Sequence, residues 1–495
     1  MTAQSETAGW ASLRRASANG IAINLTAQST RFGLQFVYQI GLARLLAPQD
    51  FGLVAMAWPV LAFVSLFADF GLTQATVQRP SMSQAELSFV FWANCLLGLA
   101  LAAGTMASAP LVARFYGAPE VGPVTVALGA LFILNGLSTQ HVALLNRRLD
   151  FGKLAMVDLV SCAVGAAAGL LAAAAGMRFW AIVVGQAATS ATTLPLAWLL
   201  TRWIPGPPRR VADARKLIVF GADMTTFSFM NYFARNLDRV LIGRVLGEAS
   251  LGLYDRAYKL LLLPLTQVTI PFAKVALPLL SRTRDEPERY RQAYLRIIEI
   301  IMAMTYPGVI FAVCASRQLI AVALGPRWLE VAPIFAVLGL GALLAPIGYS
   351  TGWLFITQDR TREMRNWGMI SSALYVASFA AGLPWGPLGV AVCYTAVGFI
   401  QAPFLWAVAT RCGPVGFWHL VGAVLPCLAA AGAAALAVLG LQRLLAPGPV
   451  ALAILLAAAY ATFVAALVCA PRGRRILWDS LTEGRRLARS IAAAA

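Results

Sequence analysis

The chain is poor in charge, poorer still in acid, and nearly without histidine. Of its 495 residues only 12% are charged, 21 residues are Asp or Glu, and the two histidines are His141 and His419. A soluble domain carries about 25% charged residues, so half that fraction excludes most soluble enzyme architectures. The histidines stand far apart, with no cysteine or carboxylate at ligand spacing, which leaves no metal motif. The cysteines Cys95, Cys162, Cys314, Cys393, Cys412, Cys427 and Cys469 form no CxxC pair and fall in apolar segments or, for Cys412, in a short loop beside Arg411. They read as small core residues, not as disulfides or ligands. A GxxxxGK[ST] phosphate loop is missing, which argues against direct ATP hydrolysis. Strands alternating polar and apolar residues over about ten positions are also missing, so a membrane β-barrel is excluded.

What fills the chain is apolar: 59% of the residues are hydrophobic, and segments such as 153–176 and 449–470 are apolar all round. Helices must do the spanning. Hydropathy predicts fourteen spans, near 20–46, 51–78, 86–109, 120–146, 153–176, 179–201, 217–246, 251–280, 296–316, 331–357, 367–383, 388–410, 419–440 and 449–470. Lys and Arg gather in every second connection. The 202–216 linker carries Arg202, Arg209, Arg210, Arg215 and Lys216, and the next such connection carries Arg282, Arg284, Arg289, Arg291 and Arg296; the opposite connections together hold only Arg44, Arg114, Arg178, Arg244, Arg317, Arg327 and Arg443. The bias predicts both termini on the cytoplasmic side. It also accounts for most of the formal net charge of +18, which is therefore a topology signal and no reason to expect a nucleic-acid partner.

The expected organisation is a cytoplasmic segment 1–19, a first lobe 20–201 of six helices, a linker 202–216, a second lobe 217–410 of six helices, an appended pair 419–470 and a basic cytoplasmic tail 471–495. Asn19, Asn24, Gln28 and Arg31 interrupt the first apolar stretch and argue against a cleaved leader. In the tail, Ile476, Leu477, Leu481 and Leu487 are spaced among arginines, a pattern that suits a helix on anionic lipid as well as a solvated basic tail.

At an offset of 200 residues ARLLAPQDFGL (43–53) aligns with GRVLGEASLGL (243–253), so that Arg44 meets Arg244, Leu46 meets Leu246 and Gly52-Leu53 meets Gly252-Leu253. Parallel repeats of this kind suggest two lobes rocking about a central cleft. The run LARLLAPQDFGLVAMA, then ADFGLTQATVQR, NYFARNLDRVLIGRVLG, LGLYDRAYKL and ALPLLSR, resembles the polysaccharide-transporter branch of the multidrug/oligosaccharidyl-lipid/polysaccharide (MOP) superfamily. Within it the chain is most similar to Wzx-type O-antigen and capsule flippases, especially the colanic-acid exporters, over roughly 15–470. The resemblance implies an all-α V-shaped pair of six-helix lobes with two further C-terminal helices, in the bacterial inner membrane. It implies transfer of undecaprenyl-diphosphate-linked oligosaccharide from the cytoplasmic to the periplasmic leaflet, with no catalytic residue and no cofactor. A polysaccharide polymerase and chain-length machinery are the protein partners it suggests, beside anionic lipids.

Six basic residues fall within the expected spans: Arg31, Arg235, Arg239, Arg256, Lys259 and Lys274. A charge at the bilayer centre costs about 2.5–3.5 kcal/mol on insertion scales, so Arg31, Arg235 and Arg239, expected at mid-helix, should face a wet cavity. There, guanidinium forks suit a diphosphate or acidic sugar. Asp238 is three residues from Arg235 and adjacent to Arg239, so a purely structural ion pair is an alternative. Arg256 and Lys259 are further anion contacts or snorkel to the interface, and snorkelling is the expectation for Lys274. Asp69, Asp238 and Glu299 are candidates for gating or for proton or sodium coupling, with Asp158 and Asp223 nearer the cytoplasmic boundary. Pro264, Pro271 and Pro278 recur every seven residues on one helical face and are hinge candidates. Three other readings compete. A multidrug or organic-cation antiporter of the same superfamily should show an acidic, aromatic cleft. A membrane-embedded polysaccharide polymerase needs long outward loops. A major-facilitator transporter usually has a Gly/Asp/Arg-rich second loop, where this chain has QRPSMSQAE.

Overall fold

The computed structural model describes residues 26–67, 73, 76–77, 79, 82–208, 214–469 and 473–474, the side chains of 214–235 and of Leu263 excepted. Asp69, the 1–19 segment and nearly all of the basic tail lie outside the described residues. Among those described, every regular element is helical, and nine helices are long and apolar enough to cross a membrane. Large apolar side chains such as Leu96, Leu171, Leu436 and Val450 are exposed on them, as lipid-facing helices require. The chain forms two compact units, one ending at Gly252 and the other starting at Leu253. The boundary comes later than the 202–216 linker because Gly252 packs on Pro48, in the first unit.

The first unit holds α1 (26–45), α2 (Pro48–Ser65), α3 (Gln84–Tyr116), α4 (Val121–Arg147), α5 (Phe151–Ala174) and α6 (Trp180–Thr201). Ser83 and Glu86 start α3 with a reciprocal cap: the Ser83 hydroxyl accepts from the Glu86 N–H at 3.2 Å and the Glu86 carboxylate accepts from the Ser83 N–H at 2.7 Å. Bare glycines set how closely the helices approach, the usual means of association where lipid removes any hydrophobic gain between helices. A methyl on Gly98 of α3 would lie 2.6 Å from the Phe132 carbonyl oxygen of α4. One on Gly169 of α5 or on Gly185 of α6 would lie 2.4 Å from the Tyr38 hydroxyl, so the two glycines form the slot that receives this α1 side chain. The chain leaving α6 is strapped along α3. Trp203 Nε1 donates to Gln84 Oε1 at 2.7 Å, Trp92 Nε1 to the Gly206 carbonyl at 2.9 Å, and the Gly206 N–H to Ser88 Oγ at 2.9 Å.

A helical stretch then runs from Ala214 to Arg282, broken at Gly247, where φ is +80° and ψ −178°. Its arms are α7 (214–246) and α8 (248–282). A side chain at φ +80° would strain the backbone, and glycine removes that strain. The first copy of the repeat breaks at the equivalent position, Ala47, with the extended values φ −87° and ψ 160°, and the chain restarts as a helix on Pro48. The two joins match further. Residues 42–43 and 242–243 are buried, 44–45 and 244–245 exposed, and 51–57 and 251–257 buried throughout. They also touch: a methyl on Gly52 would lie 1.7 Å from the Glu248 carbonyl oxygen, and one on Gly252 would lie 2.0 Å from the Pro48 carbonyl oxygen.

The second unit contains the rest of α8, then α9 (Pro287–Cys314), the short α10 (Ser316–Ala323), α11 (Val331–Ala342), α12 (Ala345–Thr357), α13 (Thr361–Gly382), α14 (Gly386–Thr410), α15 (Phe417–Gln442) and α16 (Pro449–Cys469). Two features differ from the sequence expectation and one refines it. Arg289, Arg291 and Arg296, expected in a loop, stand on α9, which starts at Pro287 because proline fits the first helical turn and Glu286 and Glu288 pair with Arg289 and Arg291 one turn on. The span expected over 331–357 stands as one span, Val331–Thr357, which passes from α11 to α12 after Ala342, where Pro346 cannot donate to the preceding turn. A further helix, α10, occupies the connection after α9. The core gathers around α9, whose buried tyrosines are satisfied by α12 and by the turn before it. Tyr290 shares a hydrogen bond with Thr357 at 2.6 Å, Tyr294 with Ser350 at 3.2 Å, and Tyr306 donates to the Leu343 carbonyl at 2.8 Å.

Candidate functional site

Charge inside apolar helices is the feature that needs a functional account. In the first unit, Arg31 of α1 reaches across to α5 and pairs with Asp158, Nη1 to Oδ2 at 3.2 Å, with both side chains about half exposed. Asp158 stands seven residues into α5, about 10 Å along the axis at 1.5 Å per residue. The pair therefore lies toward one end of that helix, whereas the sequence reading put Arg31 at mid-helix. Asp158, treated in the sequence as a boundary residue, is its partner; 127 residues separate the two, which no local pattern reveals.

On α7 the described side chains begin at Asn236, so the side chains of Arg235 and Asp223 lie outside the description. Arg239 is half-buried and its Nη1 donates to Asn236 Oδ1 at 3.3 Å, while the buried carboxylate of Asp238 accepts from the Arg239 backbone N–H at 2.8 Å. Asp238 thus stands in the pattern of a helical side chain bonded to the main chain beside it.

In the second unit Arg256 is buried, so it does not snorkel. Lys259 pairs one turn back with Asp255, Nζ to Oδ2 at 2.7 Å, and the Asp255 side chain is only 3% exposed. The sequence reading missed Asp255, although the i,i+4 spacing in LYDRAYKL carries the signal. It also missed Asp50, buried at the start of α2, which accepts from the Ala47 N–H at 3.1 Å and faces Arg178 Nε at 3.3 Å. Glu299 is half-buried on α9, Lys274 is exposed, and Pro264, Pro271 and Pro278 all lie on the exposed face of α8 in helical backbone. His141 stands among Phe91, Trp198 and Trp203, with ring centroids 4.3–5.9 Å away, an aromatic packing role. Among the described residues no group of three His, Cys, Asp or Glu could hold a metal ion.

Residues 41–333 match the sequence model of a family described as polysaccharide biosynthesis protein. The lipopolysaccharide biosynthesis protein WzxC of Escherichia coli is 24% identical over 397 residues, 79% of this chain and 80% of that one. The succinoglycan biosynthesis transport protein ExoT of Rhizobium meliloti is 27% identical over 316 residues, 64% of each chain. Among solved structures, the lipid II flippase MurJ in an inward closed conformation superposes with a TM-score of 0.68 at 14% identity, over 89% of this chain and 97% of that one. An inward-facing multidrug resistance MATE family transporter of the MOP superfamily gives 0.59 at 14% identity, over 81% and 94%. At such identities the likeness is one of fold alone.

Proposed function

The chain belongs to the polysaccharide biosynthesis protein family, and we propose that it is a flippase for undecaprenyl-diphosphate-linked glycan units, carrying them from the cytoplasmic to the periplasmic leaflet for surface polysaccharide assembly. The observation that carries the proposal is the half-exposed Arg31–Asp158 pair, seven residues into the apolar helix α5. A charged pair facing hydrocarbon would be expensive, so the pair meets water, and in this reading it does so at the mouth of the cargo's path. A guanidinium there, partly neutralised by a carboxylate, exchanges that partner for the cargo's diphosphate at small net cost, because exposed pairs are worth about 0–1 kcal/mol.

In this reading the protein is a secondary transporter working by alternating access, with fourteen spans in two six-helix lobes and an appended pair, and both termini in the cytoplasm. Arg235, Arg239, Arg256 and Lys259 add positive charge along the cargo's route. Asp238, Glu299 and Asp69 are the carboxylates available for proton or sodium coupling, and the polymerase and chain-length machinery receive the product. The family supports a glycan cargo, and the names of WzxC and ExoT point the same way.

The test is the amount and sidedness of polyprenyl-diphosphate-linked glycan in cells lacking the gene, against the same cells carrying it back. Cytoplasm-facing accumulation relieved by the gene supports the proposal. An unchanged pool with altered sensitivity to cationic dyes would replace it with the multidrug antiporter, which shares the fold.

A further inference from the structure

The second unit carries a half-open cavity of about 320 Å³ beside the break between α11 and α12. Its walls carry Tyr258 of α8, Tyr349 of α12, Tyr375 of α13, and Tyr394, Gln401 and Trp406 of α14, and no charged side chain lines it among the described residues. The aromatic wall is fixed in place: Tyr375 and Tyr394 approach to 4.8 Å between centroids, and Phe379 stacks on Tyr394 from behind at 5.7 Å. Gln401 is only 5% exposed, yet its side-chain amide nitrogen has no hydrogen-bond partner. Leaving a buried donor unsatisfied costs about 1–3 kcal/mol, a cost that a ligand accepting from it would remove.

The chemistry of the walls narrows the ligand. Without a cation the cavity offers no charge to offset the desolvation of a diphosphate or a uronate carboxylate. A polyprenyl chain would fill it but leave the Gln401 amide unsatisfied. A pyranose meets both demands, since one face of the ring is a run of C–H groups that packs on aromatic rings while its hydroxyls accept from an amide. The volume lies at the lower end of small-molecule pockets, about 300–1,000 Å³, and suits a single sugar residue, not a whole repeat unit. We propose that this cavity binds one neutral sugar residue of the cargo glycan, an assignment that rests on the flippase reading. The cargo is then held at two chemically distinct places, anion contacts for the diphosphate and this uncharged aromatic cavity for the glycan. A broken membrane helix beside a binding site is common in transporters, because the irregular backbone opens space that continuous helices would fill.

The experiment is saturation-transfer NMR on the full chain in lipid nanodiscs, with glucose, N-acetylglucosamine, glucuronate and tetraphenylphosphonium offered in turn. Transfer to the ring protons of a neutral sugar is expected, with none to glucuronate. The signal should fall to background in Gln401→Leu and also in Gly348→Leu, which fills the cavity from a position where an added Cβ meets nothing within 4 Å. Both variants should keep the wild-type melting temperature to within a few degrees. Neutral-sugar transfer that persists in the two variants, or is absent from the wild type, overturns the proposal. So does tetraphenylphosphonium transfer without sugar transfer, which assigns the aromatic cage to an organic cation. The readout uses purified protein and is independent of glycan pools in cells. Sugar binding with an unchanged pool would therefore reject the flippase reading alone, and a relieved pool without sugar binding would reject the cavity assignment alone.

Discussion

Gly52 and Gly252 face one another across the two joins of the repeat, each bare Cα seated against the other join's main chain. A Cβ on Gly252 would come within 2.0 Å of the Pro48 oxygen and 3.2 Å of the Gly52 nitrogen, and a Cβ on Gly52 within 1.7 Å of the Glu248 oxygen. The offset of 200 residues relates these contacts as well as the letters, since 48 and 52 stand to 248 and 252 as the sequence copies do.

Gly52→Ala and Gly252→Ala should therefore each destabilise the protein by about 1–3 kcal/mol or more, because main-chain atoms cannot turn aside as a side-chain tip can. Thermal unfolding in detergent and membrane abundance are the measurements, with Gly432→Ala, where nothing lies within 4 Å, as the neutral control. A wild-type melting temperature for Gly52→Ala would refute the packing argument.

Arg31→Ala should abolish export at nearly normal abundance, because a half-exposed ion pair contributes about 0–1 kcal/mol to stability. The exchange Arg31→Asp with Asp158→Arg keeps a pair but moves the guanidinium to the other helix, and export should stay lost. Recovery of export in the exchanged protein would make the pair structural.

Lys259→Met removes the ammonium that the buried Asp255 carboxylate meets at 2.7 Å and should cost about 1–3 kcal/mol, below the 3–5 of a fully buried pair because Lys259 is itself partly exposed. Adding Asp255→Asn should restore most of that loss. A double variant no more stable than Lys259→Met would show that the carboxylate serves other partners.

Arg360 closes the second unit by donating to the Val408 and Ala409 carbonyls at the end of α14, at 2.7 and 2.8 Å, while its fork holds Glu363. Arg360→Lys keeps the charge but not the planar fork, and about 1–3 kcal/mol should be lost. Chemical denaturation of the purified variant would measure it, and a loss under about 0.5 kcal/mol, the range of ordinary surface changes, would count against the role.

The repeat and the family were legible because 44, 46, 52 and 53 recur at 244, 246, 252 and 253, and of these 44, 52 and 53 keep the same burial at 244, 252 and 253. The helical class followed from apolar runs that a membrane helix needs and a soluble one does not. The partners of embedded charges were not legible beyond one turn. Asp158 is paired with a residue 127 positions away, so composition marked Arg31 and could say nothing of its contact. The break after Ala342 was hidden for a different reason, since apolar residues continue across it and hydropathy does not register a proline's missing donor. The aromatic cavity draws its walls from α8, α11, α12, α13 and α14, and the residues each contributes are unremarkable in their own segment.

The meeting of the two joins has a consequence for how such a chain can diversify. Its contact surface is made of main-chain atoms, which every substitution preserves so long as Gly52 and Gly252 keep their hydrogens in place of side chains. Residues elsewhere on the helices can then be exchanged wholesale without disturbing this seam, and a lineage is free to vary its surfaces while inheriting the same frame.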